Sequence, residues 1–374
     1  MTQKKAQELV LPVLWLLLIT VCLYWKHTDQ LTEMLIRGSV VVSGKMQDDL
    51  YADRGVYVMR KDGVKITVSP SAETSGEFET AQLRAFCKYV TEQGMDFLYV
   101  NAPTKAWLDD SEFSEYFGVP TYSNANADRV MAALREADVP CLDLRENVKA
   151  EGKNIYEMFY HTDHHWRAES GLWASGVIAE ELNRRYDYGL DLSRYAPENY
   201  EFKVYENAWI GEQGYLFSPY YIGYDSFTEI RPKESGSYQF VNPNGKLKEE
   251  TGDFGMFLAE AQYAEEALPS SDSLHYAYCP HGIADCSFRN LNCPDGKKIL
   301  LFGDSFSFSF IPFFLQGVSQ IDAVILREAE MTPREYVQQE DYDAVVFLYA
   351  QFMIGAHDDP VSANYKMLDL MRES

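Results

Sequence analysis

The chain has 374 residues, 46% hydrophobic and 24% charged, the composition of a folded protein of one large or two modest domains and not of a disordered, fibrous or low-complexity chain. Its 57 Asp and Glu against 33 Lys and Arg leave a net charge of -24, which repels phosphate backbones and anionic headgroups and argues against a nucleic-acid partner. Aromatic residues make up 14%, including 26 Tyr and 6 Trp; sugar-binding clefts use such rings for stacking, although most tyrosines simply pack.

Residues 1–8, with Lys4 and Lys5, read as a cytoplasmic tail ahead of Leu9–Trp25 (LVLPVLWLLLITVCLYW), a run without a charge. At ~1.5 Å per residue a helix over it spans roughly 26 Å, just short of a bilayer core, and Trp25 and Lys26 at the interface make up the difference. Lysines before the run, with Asp29 and Glu33 after it, place the bulk of the chain on the extracytoplasmic side by the positive-inside rule. The expectation is a single-pass protein of the cell membrane with an uncleaved signal anchor at 9–25. A cleaved signal peptide is the alternative, but no small-x-small site closes the run, and Cys22 lacks the small preceding residue that lipidation wants. Residues 26–62 read as a linker.

The remainder, 63–374, alternates helical and strand signals, the pattern of an α/β sheet. Thr74–Gly94 reads as a helix: Thr74-x-x-Glu77 is a capping box, Phe78, Leu83, Phe86, Cys87 and Val90 form its apolar stripe, and Gly94 stops it. Met95–Pro103 then reads as a buried strand, Asn124–Ala137 as a helix and Cys141–Leu144 as a short strand. Between about 186 and 297 Gly, Pro, Tyr and Asp are frequent and apolar runs are short, which predicts an irregular or β-rich insertion. Its stretch Tyr215–Tyr224 reads as packing or turn structure more than as a cleft lining. Lys298–Ser305, Ala323–Glu328 and Ala344–Ala350 complete the sheet, with a helix opened by Thr332-Pro333-x-Glu335 between the last two.

Five cysteines lie beyond the anchor: Cys87, Cys141, Cys279, Cys286 and Cys293. The number is odd, so at least one thiol is unpaired or bonds another chain. Zinc held by the last three with His281 is conceivable, but their spacing is wider than zinc knuckles use, and a loop disulfide or no bond fits better.

Chemistry concentrates in two places. The first is His161–Trp166 (HTDHHW), which holds three of the chain's 7 histidines. In an extended segment Asp163 and His165 share a face, and a carboxylate beside an imidazole fixes its tautomer and stabilises the imidazolium. The bland reading is a helix-capping Asp with surface histidines. A metal reading stands second: His161, Asp163 and His165 offer three N/O ligands, though three from one short run strain a tetrahedral site. The second place is Leu300–Phe310 (LLFGDSFSFSF), where a strand ends, Gly303 permits a tight turn and Ser305 stands where the next helix begins. A serine there either caps the helix or attacks a carbonyl whose oxyanion is held by backbone N–H groups.

The blocks TDHHW and GDSFS resemble the DHHW family of SGNH-hydrolase-like proteins, relatives of the periplasmic alginate O-acetyltransferases. The resemblance also touches APTK at Ala102–Lys105, a Gly-rich stretch ending near Asp225, and an Arg-bearing strand at Arg327. It implies an SGNH-hydrolase-like three-layer α/β/α sandwich and a Ser-His-Asp triad of Ser305, His165 and Asp163. It further suggests Arg327 and Tyr349 as oxyanion or substrate contacts. Secreted SGNH esterases place their serine first and an Asp-x-x-His last; here Asp-x-His precedes Ser, as in the acetyltransferase branch. The function implied is an extracytoplasmic O-acetyltransferase acting on cell-surface or secreted polysaccharide, with no cofactor or metal. Its acetyl groups would come through a membrane-bound O-acyltransferase. The net charge disfavours a polyuronate acceptor and favours a neutral or amine-bearing glycan. Two alternatives stay open: a carbohydrate acetyl esterase with the same triad, and a non-catalytic glycan-binding component of an export or modification complex.

Overall fold

The structure, a computed structural model, describes residues 51–373 except 54, 62, 106–108, 218, 243–247, 261–262 and 264–276. The expected anchor at Leu9–Trp25 lies outside the described residues, and among the described residues no helix is long and apolar enough to cross a membrane.

Strands β1 (Tyr51–Asp53), β2 (Val56–Lys61) and β3 (Val64–Val68) pair as an antiparallel meander. The described residues thus open inside the expected linker, with strands too short to declare a period. The next helix runs Glu77–Glu92 and buries Leu83, Phe86, Cys87 and Val90 as its stripe predicts. The expected capping box does not form. Gly76 is the N-cap, in left-handed backbone with φ 68, and this swings Thr74 off the helix end so that its Oγ1 accepts from the Gly76 N–H instead. Gly94, at φ 85, ends the helix as expected.

β4 (Asp96–Ala102) and β5 (Cys141–Asp143) fall where the apolar runs predict. Between them lie helices Asp110–Phe117 and Ser123–Glu136, the first of which the sequence reading missed. A long helix, Ala168–Tyr186, follows the HTDHHW block. The region expected as an insertion divides. β6 (Tyr200–Trp209) and β7 (Asp225–Pro232) form a separate two-stranded sheet, whereas β8 (Tyr238–Val241), β9 (Glu249–Gly252) and β10 (Cys286–Asn290) extend the main sheet. β11 (Lys298–Gly303), β12 (Gln320–Val324) and β13 (Ala344–Ala350) supply its centre. β12 begins at Gln320 and ends at Val324, so it shares only Ala323 and Val324 with the predicted Ala323–Glu328. Its Asp322 reads as a strand breaker, but the Gln320 amide and the Tyr342 hydroxyl satisfy that carboxylate, and the chain turns at Ile325–Glu328.

The main sheet has the order β5-β4-β13-β11-β12-β10-β8-β9. Its first five strands are parallel and the rest antiparallel. Every residue of β13 is buried, and alternate residues point to opposite faces, so both faces are covered. On one of them Phe86 meets Phe302 and Phe347 edge-on, at 5.9 and 5.8 Å. In such sheets ligands bind at the carboxyl ends of parallel strands near a reversal of strand order. At that edge β4 leads to Lys105, β11 to Ser305 and β13 to Phe352.

Candidate active site

β11 ends at Gly303, and the chain turns at once into a short 3-10 segment, Ser305–Ser309, capped by Asp304. A Cβ at Gly303 would lie 2.2 Å from the Ser307 hydroxyl oxygen, so only glycine lets the turn close this tightly. The Asp304 carboxylate is fully buried and accepts from the backbone N–H of Phe306 and of Ala350, at 2.9 and 2.7 Å. It ties the serine turn to the end of β13. Burial raises its pKa to about 6 against those two donors.

The HTDHHW block is not an extended strand, as the sequence reading assumed. Phe159 and Trp166 form an isolated antiparallel bridge, and 161–165 loop out between them. Asp163 and His165 meet because the Asp163 carboxylate folds back on its own loop, accepting from the His165 backbone N–H at 2.9 Å. His165 Nδ1 then lies 2.5 Å from Asp163 Oδ1, and Nε2 lies 2.7 Å from Ser305 Oγ. The other Asp163 oxygen accepts from the Glu212 N–H at 3.1 Å. Asp163 and His165 are buried, while Ser305 is partly exposed. The three predicted residues therefore form one hydrogen-bond line with its nucleophile end open to solvent.

The loop is clamped from two sides. The Asp225 carboxylate accepts from the His161 and Thr162 N–H groups, both at 2.7 Å, and from the Thr162 hydroxyl at 2.5 Å. On the other side the His161 carbonyl accepts from the Thr67 N–H at 2.9 Å and from Lys105 Nζ at 3.2 Å. Lys105 also donates to the Thr67 hydroxyl at 2.7 Å. Burial lowers its amine to about 7, and the nearby Asp163 and Asp225 carboxylates pull it back up only in part.

Two close approaches lock the pieces together. Trp166 Nε1 donates to the Phe306 carbonyl at 2.9 Å, joining the histidine loop to the serine turn. A Cβ at Gly171 would lie 2.1 Å from the Ser309 carbonyl oxygen, so the long helix packs backbone to backbone against that turn. Gly171 carries no sequence signal beyond being glycine, and it was missed.

Arg327 and Tyr349 are placed elsewhere. Tyr349 is fully buried and its hydroxyl donates to the Met367 carbonyl at 3.0 Å. Arg327 donates to Asn364 at 3.0 Å and pairs with Glu328 at 3.4 Å. Neither hydrogen-bonds a side chain of the Asp163–His165–Ser305 line among the described contacts. A charged Arg327 is near enough to hold the Asp304 pKa down slightly.

The metal reading changes too. The described group with metal-range spacing is Asp163, His164 and His165, within 4.8 Å of one another, and His161 is not in it. Both ring nitrogens of His165 are already engaged by Asp163 and Ser305, which leaves two ligands at most. Cys87, Cys141, Cys279, Cys286 and Cys293 form no disulfide and all but Cys293 are buried, while His281 pairs with Glu250 at 3.2 Å.

His164 projects differently from its neighbour. Its ring lies 3.9 Å from that of His165 and 5.9 Å from Phe352, and it borders a cavity of about 270 Å³. Burial, then the His165 ring, lowers its pKa, so it faces the cavity as neutral imidazole.

Residues 64–208 match the family model described as SGNH hydrolase-like domain, acetyltransferase AlgX. That span includes Asp163 and His165 and ends before Ser305. Among solved structures, a DHHW family protein from Eubacterium siraeum is similar at TM-score 0.63 and 15% identity, covering 87% of this chain and 99% of that one. Bacillus cereus PatB1 with a sulfonyl adduct is similar at TM-score 0.65 and 16% identity, covering 86% and 100%. No curated protein matches the sequence. Over residues 64–208 the chain is thus similar to the SGNH hydrolase-like domain of the AlgX model, and it shares its fold with the two solved structures.

Proposed function

We propose that the chain is an extracytoplasmic O-acetyltransferase that moves acetyl groups onto hydroxyls of a cell-surface or secreted polysaccharide, with Ser305 as nucleophile, His165 as base and Asp163 as its orienter. The observation that carries the reading is the line of contacts from Asp163 through His165 to Ser305 Oγ, 2.5 and 2.7 Å long, at the carboxyl edge of the parallel strands of the main sheet. The 63–374 domain is read as a three-layer α/β/α sandwich held at the outer membrane face by the Leu9–Trp25 anchor.

In the first half-reaction Ser305 Oγ attacks the acetyl carbonyl while His165 Nε2 takes its proton. The Ser305 backbone N–H faces the developing oxyanion. Collapse expels the donor's oxygen or sulfur, which leaves with the proton from Nε2, and an acetyl-serine remains. A sugar hydroxyl then gives its proton to Nε2 and attacks the ester, and Ser305 recovers the proton as the acetylated sugar departs. Asp163 holds Nδ1–H throughout, which keeps Nε2 free to accept. One anchor helix cannot carry acyl groups across a bilayer, so a membrane-bound O-acyltransferase supplies the donor. Water in place of the sugar would make an esterase; the cavity beside His164 favours the bulkier acceptor.

The test is acetate release from an activated aryl acetate by the full-length protein in detergent. Release that survives a chelator but falls at least about a thousandfold in Ser305→Ala supports a serine acyl-enzyme. Equal rates in the two proteins would remove Ser305 from the mechanism, and loss to chelator would restore the metal reading.

A further inference from the structure

The cavity of about 270 Å³ beside the Asp163–His165–Ser305 line is walled by Val68, Pro70, Thr104, His164, Gln213 and Phe352. One wall is the His164 ring, 3.9 Å from that of His165 and tilted 39° to it. The ring of Phe352 lies 6.1 Å from that of Phe306, the residue after Ser305. A molecule filling the cavity therefore lies one ring away from His165 and from Phe306, the two side chains that flank Ser305.

Small-ligand sites begin at about 300 Å³, so this one holds a single ring-sized group and is far larger than an acetyl group needs. Phe352, Pro70 and Val68 offer apolar faces, the surface on which the C–H face of a pyranose stacks. Polar groups at the wall are neutral: the Thr104 hydroxyl, the His164 imidazole and the Gln213 amide. Gln213 Oε1 accepts from the Thr67 hydroxyl at 2.8 Å, which turns the amide nitrogen the other way, where it makes a long 3.5 Å bond to the Ser69 hydroxyl at the cavity wall. The cation at the wall is Lys105, and it is only 3% exposed, with donors given to Thr67 and the His161 carbonyl. A ligand carboxylate entering here would lose its water without meeting an available positive charge, which is unfavourable.

We propose that this cavity is the acceptor subsite, taking one uncharged hexose or N-acetylhexosamine ring against Phe352, with a hydroxyl directed past His164 to Ser305, and rejecting a uronate. The proposal rests on the acetyltransferase reading. The wall segment Val68–Ser71 comes from the end of β3 and the residues after it, so the N-terminal meander helps to build the acceptor site.

The experiment gives the full-length protein an aryl acetate with cellotriose, triacetylchitotriose or trigalacturonate, and reads the ratio of acetylated sugar to free acetate. The wild type is expected to acetylate a neutral trisaccharide in preference to trigalacturonate. Phe352→Ala and Gln213→Ala are each expected to lower that ratio about tenfold, the equivalent of one stacked ring or one lost hydrogen bond. Because a ratio is read, partial loss of folded protein does not mimic the effect. No transfer to either neutral sugar, equal use of the uronate, or an unchanged ratio in both variants overturns the subsite. Acetate release undiminished in Ser305→Ala overturns the acetyltransferase reading instead.

Discussion

Replacing Gly211 with alanine tests how the histidine is oriented. The added Cβ would lie 2.3 Å from the Asp163 Cβ, 2.7 Å from the Thr162 carbonyl oxygen and 2.8 Å from an Asp163 carboxylate oxygen. Carbon atoms prefer separations of about 3.5–4.0 Å, so the first contact is short by more than about 1 Å. Asp163 cannot yield freely, since its carboxylate is bound to His165 at two points and to the Glu212 N–H. If the Gly211 backbone retreats instead, it gives up its own N–H bond to the Thr162 hydroxyl at 2.7 Å. Either way the Asp163–His165 contact is disturbed. Overpacking of this kind costs about 1–3 kcal/mol of stability, and a displacement of about 1 Å in a catalytic group lowers the rate about a hundredfold. The assay is kcat for aryl acetate hydrolysis beside a thermal melt. Gly176→Ala serves as control, because its Cβ meets the Tyr195 Cβ at 3.3 Å, a contact that small adjustments absorb. A Gly211→Ala protein with wild-type kcat would refute the role given to Asp163.

Other expectations follow from single contacts. Trp166→Phe leaves the buried Phe306 carbonyl without its indole donor, and denaturant titration should show a loss of about 1–3 kcal/mol, with kcat lowered as the Ser305 turn loosens; unchanged kcat would separate the indole from the site. Burial lowers Lys105 from 10.5 to about 7, so between those pH values the unfolded chain binds a proton that the folded chain does not, and this group makes stability rise with pH across the window. Lys105→Met should therefore flatten the rise of the denaturation midpoint from pH 7 to 10; parallel curves would contradict the buried amine. Thr332→Ala breaks the capping box with Glu335 and should cost about 1 kcal/mol in a melt while acetate release stays at the wild-type level.

The candidate residues were legible because their types are rare and grouped. Asp163, His165 and Ser305 were named from two short blocks, and β4, β5, β11 and β13 from apolar runs that fully buried strands require. What escaped depends on tertiary geometry. Thr74 and Glu77 have the spacing of a capping box, yet Gly76 takes the cap because a left-handed residue redirects the chain there. Asp163 and His165 do hydrogen-bond although the strand invoked for the pairing is a loop, since a carboxylate two residues before a histidine can reach back as well as lie alongside. Arg327 and Tyr349 were drawn from strand ends, and nothing in sequence told that Tyr349 would point into the core. Asp225 came only as a weak echo of a family pattern, although the loop hangs on its carboxylate. β8, β9 and β10 were read as insertion because strands of four or five residues show too few alternations to count.

The bonds that hold the histidine loop also govern when it forms. They reach from His161 back 94 residues to Thr67, from Thr162 forward 63 to Asp225, from Asp163 forward 49 to Gly211's neighbour Glu212, and from His165 forward 140 to Ser305. Contacts so distant along the chain close late, because loop entropy must be overcome before any of them is rewarded. Helices can appear early in refolding, but the serine and histidine meet only when both ends of the sheet are in place. Closure of the His165–Ser305 contact is then a reporter of the last step of folding, and a chain caught partway carries no assembled Asp163–His165–Ser305 line.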